Sequence, residues 1–99
     1  MSVIVIARIK VDPAAFKRVE TARADDFRRV SGEGKAAGAL HHRFVAGDGE
    51  VVIIDEWTSA EAFQKFFDNP TIASLMQDAG VEGPPEVSVY EAIETVDQF

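Results

Sequence analysis

Residues 3–11, VIVIARIKV, constrain the fold more than any other stretch of the chain. Their β-branched side chains and the abrupt stop at Asp12-Pro13 mark a strand. Successive side chains of a strand point to opposite faces. Val3, Val5, Ala7, Ile9 and Val11 therefore share one face, while Ile4 and Ile6 lie on the other. The first half of this strand is apolar on both sides, so each face needs a cover. Helices of the same chain can supply one cover, and a partner's sheet the other.

Asp12-Pro13 also opens a helix, because Asp caps free N–H groups and Pro at the first turn needs no donor. At about 100° per residue, Phe16, Val19, Phe27 and Val30 form one apolar stripe. The helix is expected to run to Ser31 and to stop at Gly32 and Gly34. Residues 37–46 and 50–57 read as two strands around Gly47-Asp48-Gly49, since Asp-Gly suits a type I′ hairpin turn. Thr58 begins a capping box with Glu61, and the helix that follows presents Phe63, Phe66 and Phe67. Asn69-Pro70 interrupts that helix and restarts it with Ile72, Leu75, Met76 and Ala79, up to Gly80. After Gly83-Pro84-Pro85, Val87, Val89 and Ile93 define a last strand.

The order β-α-β-β-α-β predicts an α+β, ferredoxin-like fold: a four-stranded antiparallel sheet with both helices on one face. The bare face carries Ile4, Ile6 and alternate residues of the hairpin. Two such sheets packed face to face would bury it, at about 25 cal/mol per Å2 of apolar area. A homodimer through the sheet is the expectation. The 99 residues make one domain with one modest core.

Composition narrows the function. The chain has no cysteine, so neither a disulfide framework nor a thiolate metal site can form. Seventeen acidic against 10 basic residues leave a net charge of −7, which repels phosphate backbones; nucleic acid is not an expected partner. No stretch reaches the roughly 20 apolar residues of a membrane helix, and the first residues lack the pattern of a secretory signal. The reading is therefore cytoplasmic, away from the membrane. Gly32-Glu33-Gly34-Lys35 is no phosphate loop: it follows a helix, and Ala36 stands where Ser or Thr would be needed.

The chain resembles the antibiotic-biosynthesis-monooxygenase-like proteins of the dimeric α/β-barrel superfamily. The resemblance spans nearly all of it. It rests on VIVIARIKV, on the strand motif Gly38, Leu40, Phe44, and on the string Asp55-Glu56-Trp57-Thr58-Ser59-Ala60-Glu61-Ala62-Phe63. It implies a dimeric barrel whose members range from cofactor-independent oxygenases of aromatic polyketides to haem-degrading enzymes. The haem-degrading branch supplies a histidine from its second helix. Residues 58–79 hold none, so haem is not expected and no other cofactor is implied.

His41 and His42 are the only histidines. As strand neighbours they point apart and cannot chelate one metal. A two-residue Asp48-Gly49 turn sets His42 opposite Asp55 and His41 opposite Glu56; a three-residue turn would set His41 opposite Asp55. A histidine beside a carboxylate can act as a general base near neutrality. Arg23 falls in the middle of the apolar stripe, where its guanidinium must pair with Asp26, Asp55 or Glu56 or meet an anionic ligand.

Two readings follow. In the first, a cofactor-independent monooxygenase or isomerase acts on a small aromatic or enolisable compound. His42 removes a proton, Arg23 stabilises the anion, and His41, Asp55, Trp57, Tyr90, Phe16, Phe63 and Phe67 shape the substrate pocket. In the second, the chain is a non-catalytic dimeric module that binds a small ligand or a protein.

Overall fold

A computed structural model describes residues 2–99. Strand β1 (Val3–Lys10) leads into helices α1 (Pro13–Ala22) and α2 (Ala24–Ala37). The hairpin β2 (Ala39–Gly47) and β3 (Glu50–Trp57) follows, then α3 (Ala60–Phe67), α4 (Pro70–Ala79) and β4 (Glu86–Glu91). The sheet order is β2-β3-β1-β4, with every neighbouring pair antiparallel. This is the ferredoxin-like α+β arrangement; the second helix is interrupted at Asn69-Pro70 as expected, and the first is also broken, at Arg23.

Each break has a local cause. Arg23 leaves helical geometry (φ −117°, ψ 37°), closing α1 with its N–H on the Val19 carbonyl and opening α2 with its own carbonyl. Asp25 and Asp26 then occupy the first turn of α2, where the helix dipole favours negative charge. Between α3 and α4, Asn69 caps the new N-terminus by accepting from the Thr71 N–H, and Pro70 needs no donor.

Three boundaries differ from the sequence expectation. Gly32 and Gly34 do not stop α2; the helix continues to Ala37 and ends at Gly38, whose φ of 127° suits glycine. Gly34 stays inside because it packs on α3: a Cβ there would lie 3.3 Å from Phe66 Cζ. The cap of α3 is Ser59, which accepts from the Ala62 N–H, and not Thr58. The last strand also ends at Glu91, leaving Ile93 beyond it in solvent.

Val3, Val5, Ala7 and Ile9 are buried beneath the helices, as their strand parity requires. They feed two core clusters. One joins Ala7, Ile9, Val51, Ile53 and Ala79; the other joins Val3, Val5, Trp57 and Phe63. The opposite sheet face carries Ile4, Ile6, Val45, Val52 and Ile54, of which Val45 and Ile54 are exposed.

Candidate functional site

The site is built from the tight hairpin outward. Gly47 pairs with Glu50, so the loop is the two residues Asp48-Gly49. Gly49 takes a positive φ of 69° but Asp48 does not, so the turn has the expected length without being the expected type I′. That length sets His42 opposite Asp55 and His41 opposite Glu56. Leu40 is an extra residue in β2, a bulge that disturbs pairing just before the two histidines. Bulges of this kind re-aim neighbouring side chains.

His42 faces the helices. Its Nδ1 lies 2.7 Å from Asp55 Oδ1, and the Trp57 indole donates to Asp55 Oδ2 at 3.1 Å. Asp55 is the one charged residue in the core, 6% exposed among the described residues. A buried carboxylate must be hydrogen-bonded, and here each oxygen has its own donor. With an acceptor facing Nδ1, the neutral form of the ring carries its proton on that nitrogen and has its lone pair on Nε2. The Phe44 ring stands edge-on to the imidazole at 4.8 Å and packs on Phe16 at 4.9 Å. The His42 side chain is 39% exposed, so the ring spans the boundary between core and solvent.

A cavity of about 140 Å3 opens beside this group, between sheet and helices. Phe16, Phe27, Phe44, Phe66, Phe67 and Trp57 supply aromatic walls, with Leu75 and Met76 of α4. A dry cavity of about 150 Å3 accepts benzene, so this volume suits one aromatic ring. Phe63 also borders it, although its ring is spent on packing, stacked on Phe67 at 5.1 Å and buried under Trp57.

Three expected site residues stand elsewhere or differently. Arg23 does not line the cavity. It clamps α2 to α4, bonding Asp26 at 2.9 Å, Asp78 at 2.7 Å and the Ser74 hydroxyl at 3.1 Å. The reason is the helix break at Arg23, which moves its side chain out of the apolar stripe. Asp26 has its carboxyl held below the ordinary carboxylate range, first by the hydrogen bond from Arg29 and then by that from Arg23. Tyr90 is opposite Ile4 on the other face of the sheet and 54% exposed, away from the cavity. His41 borders the cavity mouth, but its ring turns to the open face, with Nε2 3.8 Å from Glu56.

Sequence reasoning missed Phe44 as a wall of the site, although it sits two residues from His42 and so shares its face. It also missed Ser31 and Lys35 of α2, which line the cavity; Ser31 lies within the expected helix, and Lys35 joins it because the helix runs on past the expected stop. No group of three or more His, Asp or Glu side chains is placed to hold a metal ion among the described residues. Nor is any helix there long and apolar enough to cross a membrane.

The model of the antibiotic biosynthesis monooxygenase family matches residues 2–78. Among solved structures, the chain is similar to SnoaB, a cofactor-independent oxygenase from Streptomyces nogalater. The two are 21% identical over 98% of each chain, with a TM-score of 0.65. A Mycobacterium tuberculosis protein is 20% identical over 98% of this chain and 100% of its own, at 0.62. A Caulobacter crescentus protein assigned to the antibiotic biosynthesis monooxygenases is 20% identical over 94% and 91%, at 0.65. At such identities these neighbours speak for the fold. No curated protein matches the chain.

Proposed function

The chain belongs to the antibiotic biosynthesis monooxygenase family, and we propose that its helix-side cavity is the active site of a cofactor-independent monooxygenase acting on a small, single-ring aromatic or enolisable compound. The observation that carries this reading is the His42–Asp55–Trp57 chain of hydrogen bonds at the edge of an apolar, ring-sized cavity. Asp55 orients His42 and holds the proton on Nδ1, which leaves Nε2 as the base. The aromatic walls align the ring and exclude water.

In the reaction, Nε2 takes a proton from an acidic C–H or O–H of the substrate. The anion so formed is electron-rich enough to reduce dioxygen. For a methylene activated by the ring, the balance is CH2 plus O2 giving C=O plus H2O. One oxygen atom enters the product, the other leaves as water, and the substrate supplies all the electrons. The fold neighbour SnoaB, a cofactor-independent oxygenase, supports this class of reaction.

The position of Arg23, outside the cavity, favours a second reading, since no guanidinium is there to stabilise an oxyanion. In that reading the chain is a dimeric module that binds a small ring without transforming it. Oxygen uptake with a panel of single-ring hydroquinones and enolisable aromatic ketones separates the two. The proposal expects uptake stoichiometric with product. It also expects a loss of at least about a hundredfold in His42→Ala, the size typical of a general base. Ring binding without uptake in the wild type supports the module.

The same proposal includes a second copy of the chain on the open sheet face. Ile4, Ile6, Val52 and Ile54 form an apolar strip there that a monomer would leave against water.

A further inference from the structure

The polar residues of the cavity wall fall into two groups. His42, Asp55 and Trp57 are bonded to one another, and His41 turns to Glu56 on the far side of the sheet. Ser31 and Lys35 remain, and among the described residues neither pairs with another side chain. Every other charged neighbour on this part of α2 is engaged: Asp25 with Arg28, and both Asp26 and Glu33 with Arg29. Ser31 and Lys35 are four residues apart, one helical turn, so they stand on the same face. Both are exposed and both line the cavity, so they belong to the part of its wall that meets solvent.

This placement runs against the charge of the whole molecule. A net charge of −7 discourages anions at long range. An unpaired ammonium at the rim of an apolar cavity reverses that preference locally, and a free hydroxyl beside it adds a hydrogen-bond donor. We propose that Ser31 and Lys35 form the selectivity rim of the site, recognising a single-ring aromatic that carries one anionic, carboxylate-type substituent. The ring lies among the aromatic walls and the charged group stays at the wet mouth, so no buried charge is left uncompensated. The inference rests on the cavity being the substrate site, and it supplies the cation that Arg23 does not.

Lys35 also stands in the last turn of α2, where a cation complements the helix dipole. That role would alter stability and leave ligand choice untouched, which makes the two roles separable. The probes are benzoate and its neutral near-isostere benzamide, titrated into the full chain and followed by the backbone amide resonances of His42 and Phe44. Benzoate is expected to bind about tenfold tighter than benzamide, a difference that added salt erodes. Lys35→Met should remove that difference while leaving benzamide affinity unchanged, and Lys35→Arg should restore it. Thermal melts run beside the titrations check that the variants are folded.

A preference that survives Lys35→Met, or equal binding of the two probes to the wild type, overturns the rim. In either case the cavity itself stands, because the rings still bind. If neither probe shifts His42 or Phe44, the rim and the cavity as a substrate site fall together.

Discussion

Asp55 and Arg23 are both charged residues placed where apolar ones would be expected, and they resolve the conflict in different ways. Asp55 is enclosed and saturated by two donors, His42 and the Trp57 indole. The sequence left two partners open, His42 for a two-residue turn and His41 for a three-residue one, and the observed Asp48-Gly49 loop decides for His42. Arg23 was harder to read. A helical wheel assumes an unbroken helix, and the break falls on Arg23 itself. Phe16, Val19, Phe27 and Val30 still face inward, while Arg23 turns aside to Asp26, one of its expected partners, and to Asp78. Tyr90 was readable: Val87 and Val89 share the inner face, which sends Tyr90 outward. The role of Arg23 as a clamp has a pH signature. Asp26 is held below the ordinary carboxylate range, so the clamp's contribution is complete above that range and lost as pH falls through the lowered value. Arg23→Ala should lower the melting temperature at neutral pH, and the deficit should shrink below about pH 4, near the ordinary carboxylate value, and then vanish. Thermal melts across pH 2–8 check this; a deficit constant through the acid range would refute the clamp.

At the scale of elements, α2 shows why a local signal can mislead. Glycine is a weak helix former, costing roughly 1 kcal/mol against alanine, and two in three residues argue for a stop. The contact that carries the helix through is non-local: Phe66 of α3 packs on the backbone at Gly34. No reading of residues 31–38 alone could have found it. The real stop, Gly38, combines a positive φ with a close neighbour, since a Cβ there would stand 2.5 Å from Thr58 Oγ1. Three glycines therefore make three different predictions. Gly32 has open space around it and no positive φ, so Gly32→Ala should stabilise by about 0.5–1 kcal/mol. Gly38→Ala should destabilise, through both strain and the clash with Thr58. Gly34→Ala should be tolerated only as far as the Phe66 ring can retreat. Urea unfolding of the three variants gives the order; a destabilised Gly32→Ala would mean that α2 is not an ordinary helix there.

At the scale of the whole molecule, the two faces of the sheet divide the work. The helix side holds the core, the His42–Asp55 pair and the cavity, whereas the open side holds an apolar strip bordered by charges. That division was visible in the doubly apolar first strand, and it makes two predictions. For assembly, light scattering should give twice the 10.8 kDa chain mass at micromolar concentration. The interface should exceed about 1,000 Å2, and Ile54→Lys should shift the protein to monomers. A monomeric wild type would contradict the dimer. For function, the central claim is that the small aromatic ligand enters on the helix side, against His42. A crystal structure of the protein soaked with a small phenol tests this directly. The expected density is a ring among Phe16, Phe44 and Trp57, with its hydroxyl about 2.6–3.2 Å from His42 Nε2. A ring found on the open sheet face, or a cavity still empty at saturating phenol, would contradict it.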